Sequence, residues 1–280
     1  MVSSCTHDQP IETSRMNDDQ ACHRALIATI SQGAALDQKA CAAVGTMSLD
    51  QAYRAQRRAV AAIGAPSGYK IALATVASQA QFGMTEPAIG ILRTSQFLAT
   101  GAVVELADSP DVVIAFEPDL LVTVSDTAIN DAETIEQVAA ALGSVSAFAE
   151  VPQLLSLPLG SGRAPMFVAT NAGARLGIVG DTIAFDRDEM VGRLAAMRVT
   201  VQNENGVVVS SAQGSELMGH PLNPALFLVR KLREQGLKLK VGDRISLGSF
   251  APPQPVKGGA FRVVYEGLRD NPLVVEVSFQ

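Results

Sequence analysis

The run Phe116-Glu117-Pro118-Asp119-Leu120-Leu121-Val122 places two carboxylates two residues apart inside an otherwise apolar segment. On a strand, positions i and i+2 share a face and lie roughly 6.6 to 7 Å apart, so Glu117 and Asp119 project together. The flanking Ile114, Phe116, Leu121 and Val122 mark the strand as buried. Two buried like charges are costly unless something neutralises them, and a hard divalent cation does so with oxygen ligands alone. The alternative is an edge-strand pair facing water, with Pro118 interrupting the ladder as edge prolines do. A third acid, Glu150, closes the apolar run Val145-Ser146-Ala147-Phe148-Ala149 and precedes Val151-Pro152, a strand end of the kind where ligands are common. Its other reading is an ordinary exposed loop acid. Three carboxylates with no Cys or His nearby suit Mg²⁺ or Mn²⁺ rather than zinc.

Lys70 lies early in the apolar strand Gly68-Tyr69-Lys70-Ile71-Ala72-Leu73. Such a lysine either snorkels to the surface or points into a pocket, where it serves as acid, base or counter-ion to an enolate. His220, the only histidine in the β-rich body, stands in Met218-Gly219-His220-Pro221-Leu222-Asn223-Pro224, which reads first as a turn into a helix. A structural role is the favoured reading there, with a catalytic one as its rival. Cys5, His7, Cys22 and His23 match no zinc spacing. The three cysteines, Cys5, Cys22 and Cys41, form an odd count that suits a reducing compartment better than a disulfide framework.

The elements that must position these groups follow from pattern. Residues 1–16 are polar and aperiodic, which predicts a flexible tail. Loose helical spacing runs from Asn17 to about Cys41. A cleaner helix follows Ser48, with Gln51 completing a capping box, Leu49, Tyr53, Gln56, Val60 and Ile63 on one face and Gly64 as the stop. Residues 17–64 thus form a helical appendage.

From residue 65 the texture changes to short apolar runs between turn residues, which predicts strands. These are expected at 69–75, 102–106, 114–124, 145–151, 175–179, 197–203, 207–211, 244–250, 261–265 and 273–279, with a hairpin turn at Asn205-Gly206. Helices are expected at 132–142, 188–196 and 224–235. Without a repeat or linker, residues 17–280 read as one α+β domain.

With 280 residues, nearly half of them apolar, the chain can bury a large core. A net charge of −6 with scattered basic residues argues against a nucleic-acid partner. No apolar run reaches the length of a membrane helix and residues 1–20 carry no export signal, so a cytoplasmic protein is expected, with no membrane partner.

Several blocks together resemble the 2-oxopent-4-enoate hydratase and 4-oxalocrotonate decarboxylase group of the fumarylacetoacetase-like superfamily. They are Gly-Tyr-Lys-Ile-Ala-Leu at 68–73, Gln-Phe-Gly-Met-Thr-Glu-Pro-Ala-Ile-Gly at 81–90, the Glu117/Asp119 strand and Ala-Glu-Val-Pro at 149–152. The series continues with Asn-Ala-Gly-Ala-Arg-Leu-Gly at 171–177, Gly-His-Pro-Leu-Asn at 219–223 and Gly-Asp-Arg-Ile-Ser-Leu-Gly-Ser at 242–249. The resemblance implies a mixed β-sheet roll or sandwich with peripheral helices. It further implies Glu117, Asp119 and Glu150 as ligands of Mg²⁺ or Mn²⁺, Lys70 as the active-site lysine, and a homo-oligomer.

The Asn171 loop and Gly248-Ser249 would line the pocket, with Ser249 and neighbouring amides meeting the carboxylate of a small 2-oxo acid substrate. The implied reaction is hydration of a short unsaturated acid such as 2-hydroxypenta-2,4-dienoate; decarboxylation of a 4-oxalocrotonate-like diacid, or a non-catalytic partner subunit, are the alternatives. The chain departs from the group's pattern at Asp119, where Glu is usual, and at Gln153, Thr170 and Gly173. The superfamily's hydrolases carry a His-Glu pair on a lid, and residues 88–106 contain no histidine, so hydrolysis is not expected.

Overall fold

The computed structural model describes residues 9–106 and 109–280, with residues 9–18 as backbone only. Its helices are α1 (Gln9–Gln32), α2 (Leu49–Ala61), α3 (Val76–Phe82), α4 (Ile135–Ala140), α5 (Arg163–Ala169), α6 (Met190–Ala196) and α7 (Asn223–Glu234). The capping box read from the sequence is present: Gln51 N–H donates to Ser48 Oγ at 3.3 Å, and Ser48 N–H to Gln51 Oε1 at 2.9 Å. Tyr53, Gln56 and Val60 form the buried face of α2. Helix α1 begins at Gln9, ahead of Asn17 where the apolar spacing starts, so it takes in half of the expected tail. The rest of that tail, with Cys5 and His7, lies outside the described residues. Cys22 and Cys41 are joined by a disulfide, because the turn after α1 folds back to bring their Cα atoms within 4.7 Å. The odd cysteine count is therefore no sign of reduced thiols here.

The strands, in chain order, are β1 (Pro66–Ala72), β2 (Ala88–Arg93), β3 (Phe97–Ala99), β4 (Ala102–Val104), β5 (Val112–Val124), β6 (Leu142–Val151) and β7 (Gln153–Leu155). They continue as β8 (Leu176–Ala184), β9 (Arg198–Asn203), β10 (Val208–Gln213), β11 (Arg244–Ser246), β12 (Gln254–Pro255), β13 (Gly259–Glu266) and β14 (Leu273–Phe279). One sheet runs β2-β1-β11-β5-β6-β8-β3, with β7 and β12 extending along β5; the second runs β10-β9-β13-β14-β4. Strands β2 and β3 stand at opposite ends of the first sheet although only Thr94–Gln96 separates them. The sheet must therefore curl until its ends meet, forming a roll with an inner face.

The second sheet packs outside this roll, where Phe116 of β5 stacks on Phe261 of β13 at 5.0 Å and meets the edge of Phe279 of β14. Both sheets and the helices share one continuous apolar core reaching from Leu26 to Phe279. The α+β roll expected from the resemblance is the observed architecture.

Two expected strands stop early for a backbone reason. The first ends at Ala72 because Leu73 adopts φ 59°, and the strand from Arg244 ends at Ser246 because Gly248 turns the chain at φ 101°. Among the described residues, no helix is long and apolar enough to cross a membrane.

Candidate active site

Strand β5 lies between β11 and β6, so the edge-strand alternative for Glu117 and Asp119 does not hold. Pro118 is tolerated in this central strand because its nitrogen faces the gap between β11 and β12, where the chain arcs away and Phe250 N–H and the Ser249 hydroxyl return to Pro118 O. The register pairs Glu117 with Glu150 and Asp119 with Phe148 across β5 and β6. Directly opposed residues share a face, so all three acids belong to the inner face of the roll.

Lys70 joins them from β1. Its Nζ lies 2.7 Å from Glu150 Oε1, with both side chains nearly inaccessible to water. Neither Glu150 oxygen meets a well-aligned hydrogen-bond donor, so the ammonium is its close partner. Room for the lysine stem comes from Gly90, opposite Lys70 in β2. A Cβ there would stand 2.9 Å from both Lys70 Cγ and Asn171 O.

The electrostatics follow from this burial. Desolvation opposes the charge on Lys70, but Glu150, Glu117 and Asp119 outweigh it and hold its pKa above the ordinary lysine value. Lys70 is thus an ammonium at neutral pH, suited to be an acid or counter-ion rather than a base. Burial first, and then repulsion from Glu150, pushes Glu117 well above the usual carboxylate range. The same two causes, in the same order, raise Asp119 to about 7, against the pull of hydrogen bonds from Ser246, Leu120 and Gly248.

The other expected residues are placed nearby but committed differently. Asn171 is fully buried, and its side-chain amide pairs with the edge of β2: Oδ1 accepts from Ile91 N at 2.7 Å and Nδ2 donates to Ile91 O at 2.8 Å. It closes the seam of the roll, at φ 68°, where Asn is among the better-tolerated side chains. Gly248 N–H donates to both oxygens of Asp119 at 3.1 Å, and the Ser249 hydroxyl donates to Ala251 O at 2.5 Å. His220 takes the structural role: Nδ1 accepts from Leu222 N and Nε2 faces Val191 O, which fixes the ring at the entry to α7.

Two residues of the site escaped the sequence reading. Ser246, which pairs in register with Lys70, donates its buried hydroxyl to Asp119 Oδ2; a lone polar residue within Ile245-Ser246-Leu247 was the same signal that singled out Lys70. Tyr265 reaches in from β13, its hydroxyl set between Asp119 O and Phe148 O, and no local pattern foretold that long-range contact.

The donor set suits a hard divalent cation: Glu150 offers two buried oxygens without aligned donors, and Glu117 stands opposite. As the side chains stand, no three Asp, Glu, His or Cys residues among those described are arranged to hold an ion.

A buried carboxylate face with a charged lysine, enclosed in a β-roll, is the equipment of an enzyme that stabilises negative charge on a small oxygenated substrate. No family model matches the chain. It is 30% identical over 238 residues to a curated protein of Pseudomonas putida named TodF product hydratase, covering 80% of this chain and 83% of that relative. It is also 27% identical over 205 residues to a 2-keto-4-pentenoate hydratase of Burkholderia vietnamiensis, covering 72% and 74%.

Among solved structures, 4-oxalocrotonate decarboxylase of Pseudomonas putida, complexed with magnesium and adipate, superposes with a TM-score of 0.73 at 22% identity over the full length of both chains. A 5-carboxymethyl-2-hydroxymuconate delta-isomerase of Mycobacterium smegmatis gives a TM-score of 0.53 at 14% identity over 76% of this chain and 79% of that one. The chain belongs to the family of these 2-oxopent-4-enoate-type hydratases, and it shares its fold with the 4-oxalocrotonate decarboxylase. Its relatives by sequence are hydratases, which are lyases.

Proposed function

We propose that this protein is a divalent-metal-dependent hydratase that adds water to a small unsaturated 2-oxo acid such as 2-hydroxypenta-2,4-dienoate. Glu117, Asp119 and Glu150 form the carboxylate face for the cation, Mg²⁺ or Mn²⁺, and Lys70 is the catalytic lysine. The observation that carries this reading is the buried Lys70 Nζ–Glu150 contact of 2.7 Å beside Glu117 on the inner face of the roll. When bound, the cation supplies Lewis-acid polarisation of the substrate's 2-oxo and carboxylate oxygens. Lys70 Nζ, held as an ammonium, balances the negative charge that develops on the 2-oxo oxygen as the skeleton becomes a dienolate. Glu150 holds Nζ in place, and the apolar wall around Phe148 keeps bulk water from the charge. The Asn171 loop and the Gly248-Ser249 turn bound the space left for the substrate. The chain works as a cytoplasmic homo-oligomer in this reading.

The test is a product assay with Mg²⁺ and 2-hydroxypenta-2,4-dienoate. Loss of the diene absorbance with formation of the hydrated 2-oxo acid is expected, and Glu117→Ala should abolish it. Release of CO₂ from a 4-oxalocrotonate-like diacid with no hydrated product would move the assignment to decarboxylation. Absence of saturable Mg²⁺ binding, with no response to Glu117→Ala, would make the chain a non-catalytic partner subunit.

A further inference from the structure

The three acids of the inner face are not equivalent, and the difference lies in what each oxygen already touches. A carboxylate offers about four lone-pair sites. In Asp119, Oδ1 accepts from Leu120 N at 2.5 Å and from Gly248 N at 3.1 Å, while Oδ2 accepts from Ser246 Oγ at 2.5 Å and from Gly248 N at 3.1 Å. Three protein donors thus hold the two oxygens, with the Gly248 N–H shared between them, and the residue is wholly buried. Glu150 differs: its close partner is the mobile-ended ammonium of Lys70, 2.7 Å from Oε1, and no backbone N–H or hydroxyl donates to either of its buried oxygens.

We infer that Asp119 is a positioning residue that holds the Gly248 turn, leaving Glu117 and Glu150 as the carboxylates that meet the cation. The inference rests on the proposed function and divides labour within that site. Three further observations agree. No three acidic, histidine or cysteine side chains among the described residues are arranged around a common point, as a three-ligand site would require. The turn itself needs an anchor: Gly248 sits at φ 101°, between two main-chain contacts to β5, Leu247 N to Leu120 O and Phe250 N to Pro118 O, both 3.0 Å. Asp119 engages the Gly248 amide, the first of the two between those pins. Finally, its donor Ser246 stands in register with Lys70, so the same hydrogen bond ties the strand carrying the turn to the strand carrying the acids. Through Asp119, the shape of the wall that receives the substrate carboxylate is set from inside the sheet.

The experiment titrates Mn²⁺ into the full-length protein by calorimetry, and then oxalate into the Mn²⁺-loaded protein. Glu117→Gln and Glu150→Gln should each weaken Mn²⁺ by more than about a hundredfold, as loss of a charged ligand does. Asp119→Asn keeps an oxygen for Gly248 N and should change Mn²⁺ affinity by less than about tenfold, the lower edge of what outer-shell groups contribute. Asp119→Ala and Ser246→Ala should leave Mn²⁺ in that same range but weaken oxalate by about tenfold or more, with the asparagine variant binding oxalate as the wild type does.

Should Asp119→Ala fail to fold, the comparison of Asp119→Asn with Ser246→Ala carries the test. Loss of Mn²⁺ in Asp119→Asn as severe as in Glu117→Gln overturns the inference while leaving the proposed function standing. Mn²⁺ binding that survives both Glu117→Gln and Glu150→Gln overturns the two together.

Discussion

Replacing Lys70 by methionine keeps most of the aliphatic stem that lies over Gly90 and removes only the ammonium. What remains is Glu150, 1% exposed, with a charge that no other aligned donor meets. Removing one partner of a buried ion pair costs about 3–5 kcal/mol, because the other charge is left uncompensated. For a chain of this size that corresponds to a fall in Tm on the order of 10 °C. Urea unfolding of the metal-free protein near neutral pH is the assay, with Lys70→Met, Glu150→Gln and the double variant forming a cycle. The double variant should be more stable than Lys70→Met alone, since it removes the stranded charge. Saturating Mg²⁺ should recover part of the loss in Lys70→Met, because a cation bound by Glu150 and Glu117 replaces the missing positive charge. A loss below about 1 kcal/mol in Lys70→Met would refute the reasoning, since that is the range of an exposed pair.

Asn171→Ala strips the partners from a buried N–H and a buried C=O of Ile91, each costing about 1–3 kcal/mol to leave unmet, so thermal unfolding should show a loss of several kcal/mol. The metal-free protein should lose stability as pH rises from about 4 to about 7: Asp119 at about 7 and Glu117, also raised, bind protons in the folded state that the unfolded chain has released. Lys70 is protonated in both states across that window and adds no slope. Asp119→Asn should flatten the dependence by up to a few kcal/mol, read as urea midpoints against pH. Gly177→Ala should prevent correct packing, because its Cβ would fall 2.1 Å from Phe148 Cζ, whereas Gly192→Ala, in open space within α6, should raise stability by about 0.5–1 kcal/mol.

Much of this was legible in the residues because the relevant physics is local. Ser48 and Gln51 announce the start of α2, Asn205-Gly206 the hairpin between β9 and β10, and the apolar run around Glu117 a buried strand. Strand ends were less legible. They are set by single positive-φ residues, and nothing in the sequence marks Leu73 as one. Strand β2 and helix α5 went unseen, the first because Ala88–Arg93 is short and flanked by turn residues, the second because Pro165 stands inside its first turn. The acids and Lys70 could be singled out as polar residues in greasy surroundings. Their division of roles could not, since it depends on Ser246 and Gly248 arriving from more than 120 residues away.

The seam at Asn171 carries a consequence for how such a barrel can be altered. One end of the curled sheet, β2, is held there by a single amide side chain that pairs with Ile91 as a strand would, from a short loop and not from a continuous ladder. The loop has little slack to give: Ala172 and Ala174 are buried, and a Cβ on Gly173, at φ 74°, would stand 2.9 Å from Gln153 O, so the fit of this backbone against its neighbours, and not strand pairing, is what a change here would disturb.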